Sequence, residues 1–269
     1  MANQGPTEGQ KRRYARDGAV KAQGLLSPAQ VAQARACYDW AIANPGPHAL
    51  ILYPGTPRAH HCDVRNPALW NAGLDALLHA LPFAEYLAEL WGSEHVWYLA
   101  EELFAKEGGK VTNTPWHQDS SYIPLRGDHW ANVWISFESL PARNAISVVR
   151  GSHRGTRYNG IVHDNLPAPL YPDSDLPRLP DVEADLARDP PSWEMVSWNS
   201  EPGDVIFVHP GALHGGAPVD AVTPDRHTLV LRFFGDDATY DPLPGVDLPW
   251  MVDQTDGAPF RSPIYPQLR

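Results

Sequence analysis

Sulfur-containing residues are scarce, with only two cysteines and three methionines among 269 residues. Two thiols, Cys37 and Cys62, are too few for the dense disulfide framework that stabilises small secreted domains. A chain of this length, with 43% hydrophobic residues, can bury a full core without such cross-links. We therefore expect both cysteines to be reduced and to have ordinary structural roles.

Positive charge and long apolar runs are also lacking. Lys and Arg number 21 against 32 Asp and Glu, which gives a net charge of −11, and the only basic run is Lys11-Arg12-Arg13. Because nucleic-acid-binding proteins concentrate positive charge, we expect no nucleic-acid partner. Neither about 18 consecutive apolar residues nor a basic-then-apolar leader occurs, so the sequence predicts no membrane partner, no secretory signal and a cytoplasmic location.

Proline and glycine are abundant instead, with 28 and 21 residues, and such punctuation favours many short strands over a helical bundle. From His95 onward, turn residues separate short β-type runs, which read HVWYLAEELFAK, WANVWISFES, AISVVRG, WEMVSW, DVIFVH and HTLVLRFFG. With a strand ending near Leu26 and the segment that carries His117, they make about eight strands. The pattern predicts a mainly β fold with flanking helices, built on a double-stranded β-helix, or jelly roll, of the cupin type.

Helical patterns precede these strands. Ser27 as N-cap and Pro28 at the first helical position predict a helix that runs to about Ala43. A second helical stretch covers residues 66–92, and its leucines recur at the spacing of one helix face, which should pack on a sheet. These leucines are Leu74, Leu77, Leu78 and Leu81.

We expect one domain over residues 1–269. It would consist of helical support at about 27–92, a jelly-roll core at about 95–236 and an irregular tail at 237–269. The segment 157–191 is rich in Pro, Asp and Leu and has no clear periodicity. Long irregular segments inside compact domains are usually lids or binding loops, or else disordered, and we predict a lid here.

A first candidate site lies in the segment TNTPWHQDSSY. With 12 histidines and 21 aspartates in the chain, about one His-x-Asp is expected by chance, and two occur. His61-Cys62-Asp63 precedes an Asn-Pro turn without a β pattern, and we expect it at the surface. His117 and Asp119 lie in an extended stretch, where residues i and i+2 point to the same side, so both can face one metal.

A third metal ligand must come from another strand, and GDVIFVHPGALHGG offers two histidines. His209 follows the strand directly, whereas a Pro-Gly turn could return His214 over the barrel mouth, and we favour His214. Two imidazoles and one carboxylate on one face of a metal leave the opposite positions open. That arrangement is typical of non-haem Fe(II) oxygen chemistry.

An arginine supports the same interpretation. Arg226 begins a strand twelve residues after His214, and its planar guanidinium matches a carboxylate in two bonds, as an anchor for a dicarboxylate would require. The alternative is a surface salt bridge with Asp225 or Asp220. Arg232 shares the strand face but lies roughly 20 Å further along at about 3.3 Å per residue, so we expect it to serve structure.

The chain resembles the phytanoyl-CoA dioxygenase family of Fe(II)- and 2-oxoglutarate-dependent oxygenases. The resemblance runs in order from RDGAVKAQGLLSPAQV through LFAKEGGKVTNTPWHQDSSY, WISFESLPARNAISVVRGSHRG and GDVIFVHPGALHGG to RHTLVLRFFG. It implies that His117, Asp119 and His214 bind Fe(II) and that Arg226 binds the far carboxylate of 2-oxoglutarate. It also implies that O2 and 2-oxoglutarate are consumed to oxidise an unactivated C–H bond, usually by hydroxylation, with release of succinate and CO2.

Further residues carry weaker expectations. The resemblance places Lys106 near the co-substrate and Trp134 in its pocket; the alternatives are a solvated lysine and a core tryptophan. Tyr122 and Trp130 are candidates for contact with a small organic substrate, as are Trp193 and Trp198, although aromatic residues in β domains more often form core.

A different class of protein remains open at this point. A jelly-roll metal-binding protein or a cupin-like enzyme without oxygenase activity would share the metal ligands. The combination of Arg226 with Lys106 discriminates, because a simple metal-binding protein does not require it.

Overall fold

The structure of the protein, a computed structural model, describes residues 5–69 and 71–269. Within these residues the chain forms five α-helices and thirteen β-strands. The helices are α1 (Glu8–Asp17), α2 (Pro28–Ala43), α3 (Ala72–Ala80), α4 (Phe83–Trp91) and α5 (Val182–Arg188). The strands are β1 (Ala19–Ala22), β2 (Leu50–Leu52), β3 (His60–Arg65), β4 (Val96–Lys106), β5 (Thr114–His117), β6 (Leu125–Arg126), β7 (Trp130–Ser136), β8 (Ile146–Val149), β9 (Met195–Val196), β10 (Val205–Val208), β11 (His214–Gly216), β12 (Arg226–Gly235) and β13 (Thr239–Tyr240).

Two antiparallel sheets form the framework. Seven strands make the larger sheet, in the order β1-β10-β7-β12-β4-β3-β2, and four make the smaller one, in the order β5-β11-β8-β9. Side chains from both sheets, among them Ile146 and Val148 of β8 and Ile206 and Val208 of β10, share one buried cluster. Two antiparallel sheets packed in this way form a jelly roll. The predicted mainly β fold with a double-stranded β-helix core is therefore confirmed.

The helices pack on the other face of the larger sheet. All four leucines predicted to face a sheet are buried in a cluster that also contains Val133, Phe207 and Phe233. Helix α2 has the predicted Ser27 cap and ends at Ala43. The second helical stretch is divided in two, because Leu81 is extended (φ −85°, ψ 147°) before Pro82, as the residue before a proline prefers. No helix within the described ranges is long and apolar enough to cross a bilayer.

The predicted subdivision of the chain needs correction. Residues 27–92 are not wholly helical, because β2 and β3 form a hairpin at one edge of the larger sheet. Strand β1 forms the opposite edge, so the sheet also draws on residues before 95. The tail 237–269 is mostly irregular but well packed, and it buries Phe260 and Tyr265 against Phe234 of β12.

The motif His61-Cys62-Asp63 lies in β3 rather than in a surface turn. Asp63 is only 1% exposed; its Oδ2 accepts the N–H of Gly46 at 2.8 Å and lies 3.3 Å from Nη1 of Arg65. The surface prediction was wrong because Oδ2 of Asp63 finds partners inside the fold, in the N–H of Gly46 and the side chain of Arg65, and these contacts offset part of the cost of burial.

Candidate metal centre

Three side chains meet between the two sheets. His117, Asp119 and His214 each present one ligand atom, and these atoms all lie within 4.8 Å of one another. Nε2 of His117 is 3.4 Å and Nε2 of His214 is 3.9 Å from Oδ1 of Asp119. Atoms that share a metal at about 2.1 Å each are separated by roughly 3–4 Å, so the three residues fit a single ion.

Strand pairing brings the two histidines together. His214 in β11 lies directly opposite His117 in β5. A side chain at the next residue, Gly215, would place its Cβ only 2.9 Å from the carbonyl oxygen of Thr114 and 3.2 Å from Cα of Trp116. Glycine at this position therefore permits the close approach of β11 to β5 on which the metal site depends.

Both imidazoles are oriented in the same way. Nδ1 of His117 is 2.8 Å from the carbonyl oxygen of Pro115, and Nδ1 of His214 is 2.9 Å from that of Ala212. Each Nδ1–H therefore donates to the backbone, and in the neutral imidazole this leaves Nε2 as the nitrogen that can bind a metal. Burial, and then the proximity of His117, lowers the pKa of His214 to about 4, which favours the neutral ligand form.

Asp119 follows the end of β5, at the start of a short 3-10 turn, rather than lying on the strand as predicted. Gln118 between the two ligands is still extended (φ −120°, ψ 133°), so His117 and Asp119 keep the same side. The Gln118 side chain points away and donates to the carbonyl oxygens of Thr156 and Gly211.

The second oxygen of Asp119 is held by protein groups. Oδ2 accepts hydrogen bonds from Nδ2 of Asn132 and, at 3.5 Å, from Nη2 of Arg232. The same Nη2 binds Glu102, whose other oxygen lies 3.2 Å from Sγ of Cys62. Burial opposes the charge of Asp119, but His214 and Arg232 outweigh it and hold the pKa of this carboxyl well below its usual range. Oδ1 therefore remains available to a metal ion.

Removing Arg232 should weaken the metal site. Arg232→Met is expected to lower metal affinity by about 10- to 100-fold, the usual cost of losing an outer-shell partner of a ligand. Anaerobic Fe(II) titration by calorimetry measures this change. Arg232→Met leaves the carboxylate of Glu102 without its partner, so the double variant Arg232→Met/Glu102→Gln serves as a control that also removes this charge. The double variant should show the same loss of affinity, whereas Glu102→Gln alone should change the affinity little. A folded Arg232→Met protein with undiminished affinity would contradict this role.

One end of the cavity carries positive charge without a matching acid. Arg226 is 3% exposed and lies directly opposite Lys106 in the β12–β4 pairing. Within the described chain its Nε has no hydrogen-bond partner, and its guanidinium lies 5.6 Å from the ring centre of Trp134. Burial lowers the pKa of Arg226 to about 10. Burial, then Arg226 and Arg58, lowers that of Lys106 to about 6.

The alternatives considered for Arg226 and Lys106 do not fit their positions. Asp225 binds the N–H of Gly108, and Asp220 lies against Arg143, so neither pairs with Arg226. Lys106 is 1% exposed rather than solvated, and its Nζ donates to Oγ1 of Thr114 at 2.8 Å. The Trp134 side chain lines the cavity and stacks on Phe104.

These residues surround a cavity of about 270 Å³ between the sheets. Its wall includes the three ligands, Arg226, Lys106, Trp134 and Arg232. Arg232 therefore faces the same space as Arg226, despite their separation along β12. Its side chain is engaged by Glu102 and Asp119.

The candidates for substrate contact separate into two groups. Tyr122 lines the cavity, and its ring centre is 6.4 Å from that of His117. Its hydroxyl accepts the N–H of Ile161 at 3.0 Å and donates to the Ile161 carbonyl, which ties down the predicted lid segment. Trp130 does not line this cavity; it is 1% exposed and packs with Leu125 and Phe234, so the expectation of substrate contact is corrected.

Several other aromatic residues have their contacts away from the metal position. Trp193 and Trp198 pack in separate apolar clusters. His209 is outside the ligand group: its Nε2 binds the carbonyl oxygen of Gly127, and its Nδ1 accepts the N–H of Gly211. His214, and not His209, therefore lies in the group of residues that could hold a metal ion.

The residues of the site that sequence reasoning missed include Asn132, Glu102, Tyr53, His60 and His163. Asn132 and Glu102 support Asp119 from within β7 and β4, and Tyr53 and His163 line the cavity from the β2–β3 turn and the lid segment. The only local signal was a polar residue inside each apolar strand, at Glu102 in LAEELF and at Asn132 in WANVWI. Tyr53 and His163 carry no pattern that marks them.

Comparison with known proteins agrees with this arrangement. A family model described as phytanoyl-CoA dioxygenase (PhyH) matches residues 14–221. No curated protein matches the chain.

Solved structures share the fold over nearly the whole chain. A non-haem α-ketoglutarate-dependent carbocyclase, SnoK from nogalamycin biosynthesis, is 21% identical with a TM-score of 0.71, over 98% of this chain and 97% of that one. The epimerase SnoN, in complex with Fe3+, α-ketoglutarate and nogalamycin RO, is 21% identical with a TM-score of 0.68, over 97% and 98%. EctD from S. alaskensis, with 2-oxoglutarate and 5-hydroxyectoine, is 20% identical with a TM-score of 0.66, over 96% and 87%.

Proposed function

The chain belongs to the phytanoyl-CoA dioxygenase family and is a 2-oxoglutarate-dependent oxidoreductase; on that premise we propose that it oxidises an unactivated C–H bond of a small organic molecule, most simply by hydroxylation. Fe(II), 2-oxoglutarate and O2 are its cofactor and co-substrates. His117, Asp119 and His214 would hold the metal, and Arg226, Lys106 and Trp134 the co-substrate.

The observation that carries this proposal is the position of Arg226. A buried guanidinium without an acidic partner is costly, and so is a second cation directly opposite it, as shown by the pKa of Lys106, which is lowered first by burial and then by Arg226. Glu138, which raises the pKa of Arg226, is itself bonded to His227 at 2.7 Å. A carboxylate that enters the cavity would relieve both costs, and the forked guanidinium would fix its orientation.

Each protein group then has a defined task. His117 and His214 offer Nε2 because their Nδ1 protons are bound to the backbone, and Asp119 offers Oδ1 because Oδ2 is bound to Asn132 and Arg232. Three protein ligands leave positions for 2-oxoglutarate and O2. When bound, Fe(II) and 2-oxoglutarate supply oxidative decarboxylation, which gives succinate, CO2 and the oxidising power for C–H cleavage.

The lid segment and the buried walls keep water from the reacting groups. Ile161, Leu166 and Leu179 of this segment pack with Leu52 and Tyr53, so the cavity is covered on the side of the β2–β3 turn. Exclusion of water protects a reactive oxidant from side reactions.

A compound screen tests the proposed function. The protein with Fe(II), 2-oxoglutarate and O2 should form succinate, and an accepted compound should raise the rate and gain mass by one oxygen or lose two hydrogens. Omission of O2 or of Fe(II) should stop succinate formation. If iron-loaded protein forms no succinate above a protein-free control, with any compound, the metal-binding alternative without oxygenase activity is favoured.

A further inference from the structure

Aromatic rings follow one another along one wall of the cavity. The centres of Tyr122 and His163 are 5.5 Å apart, those of His163 and Tyr53 5.5 Å, and those of Tyr53 and His60 5.9 Å. His60 then approaches Phe104 at 6.0 Å. All five rings line the cavity. Such a wall offers flat apolar faces to the C–H groups of a ring.

One polar group in this wall lacks a hydrogen-bond partner within the described chain. Nδ1 of His60 is 2.7 Å from the carbonyl oxygen of Arg58, and Nε2 is buried with no hydrogen-bond partner in the described chain. Burial is the largest cause of the shifts in the pKa values of Tyr53 and His163, and it raises the first and lowers the second. His60 and Tyr53 are 4% and 2% exposed. Buried polar groups without partners are rare and point to a ligand.

The backbone at Tyr53 supports a ligand-binding role. Its φ is 53°, in the left-handed region of the backbone that residues other than glycine, asparagine and aspartate seldom adopt. Backbone strain of this kind persists only where the surrounding structure stabilises the strained conformation, and such residues cluster at ligand-binding and active sites. Here it directs a tyrosine into the cavity from the β2–β3 turn.

The polar groups select the chemistry of the ligand. Burial, then Lys106, lowers the pKa of His60 to about 3, so its imidazole stays neutral and Nε2 only accepts hydrogen bonds. 2-Oxoglutarate as the dianion has no donor to offer, so it cannot satisfy this atom. A hydroxyl group of the substrate can.

The charged side chains of the cavity wall restrict the charge of the substrate. Five charged side chains line the cavity: Glu102, Lys106, Asp119, Arg226 and Arg232. Lys106 and Arg226 lie at the co-substrate end, Asp119 faces the metal, and Glu102 is paired with Arg232. No unpaired charge in the described lining is left for a charged substrate, which would lose its hydration without compensation.

We propose that Tyr53, His60 and His163 form a recognition subsite for an uncharged, hydroxyl-bearing ring of the substrate, a proposal that rests on the oxygenase function above. The cavity is close to the lower end of the about 300–1,000 Å³ typical of ligand pockets and must also hold 2-oxoglutarate. It therefore encloses one ring rather than a large molecule.

Matched probes test the subsite. Anaerobic protein loaded with Fe(II) and 2-oxoglutarate is titrated with methyl glucoside and cyclohexane-1,4-diol as uncharged rings, and with glucuronate and glucosamine as charged counterparts. Perturbation of the visible Fe(II)–2-oxoglutarate absorption reports binding. We expect saturable binding of at least one uncharged ring, tighter than that of either charged ring.

Variants locate the contact. Tyr53→Phe and His163→Phe keep the rings and should weaken binding of the uncharged probe by about 3- to 10-fold, the effect of one hydrogen bond. Tyr240→Phe removes a hydroxyl bonded to Gln254 outside the cavity and should bind as the wild type does. Preference for a charged probe, binding of none, or equal binding by all variants overturns the subsite alone. Absence of the visible absorption before any probe is added overturns the proposed function, and the subsite with it.

Discussion

Replacement of Asp119 or His214 by alanine is expected to reduce succinate formation to the background of protein-free controls. Each change removes one of three atoms that surround the metal position. Affinity for Fe(II) should fall by more than about 100-fold, because even outer-shell substitutions cost 10- to 100-fold. Succinate assays and anaerobic Fe(II) calorimetry measure the two effects separately.

The chain supplies a matched control for these variants. His61 belongs to the second His-x-Asp motif, in β3 and outside the ligand group, so His61→Ala should retain metal binding and succinate formation. Circular dichroism shows whether each variant is folded. Folded Asp119→Ala or His214→Ala protein that turns over at the wild-type rate would refute the ligand assignment.

Substitution of Arg226 should have the second largest effect. Arg226→Lys keeps a cation but loses the two-pronged match, so the apparent affinity for 2-oxoglutarate should fall by about 10- to 100-fold, as expected for loss of a charge-assisted bond. Titration of 2-oxoglutarate in the succinate assay measures this fall.

Thermal unfolding separates this role from a structural one. A ligand that binds the folded state raises its melting temperature, so 2-oxoglutarate with a redox-inert metal should stabilise the wild type but scarcely stabilise Arg226→Met. Without ligand, Arg226→Met should be at least as stable as the wild type, because it removes a buried charge that has no acidic partner.

A second arginine whose guanidinium packs on a tryptophan ring provides the control for Arg226. Arg261 lies 3.8 Å from the ring centre of Trp97, away from the cavity, and Arg261→Lys should leave the requirement for 2-oxoglutarate unchanged. An unchanged requirement in Arg226→Lys itself would exclude the anchor role.

The parts of the site that the sequence predicted depend on short-range geometry. An extended residue between His117 and Asp119 is enough to turn both toward one side, and this holds although β5 ends at His117. Likewise, Arg226 is the first residue of the long strand β12, so it lies beside the end of the neighbouring strand β4, directly opposite Lys106. The helices follow equally local signals, such as the Ser27 cap.

The parts that sequence reasoning missed depend on partners brought together by the fold. Contacts of Oδ2 with Arg65 and with the backbone N–H of Gly46 offset part of the cost of burying Asp63, and no local pattern predicts these contacts. Strand rise separates Arg226 from Arg232 along the backbone, yet both long side chains reach one cavity. The aromatic ring of Trp130 would suit either the core or a pocket. It belongs to the core because residues of the tail 237–269, such as Phe260 and Tyr265, share its buried cluster.

Anaerobic addition of Fe(II) and then 2-oxoglutarate to the wild-type protein tests the central claim most directly. The account predicts that one equivalent of Fe(II) binds at His117, Asp119 and His214 and that 2-oxoglutarate then produces a visible charge-transfer absorption. Protein that demonstrably holds Fe(II) yet stays colourless at saturating 2-oxoglutarate would contradict it.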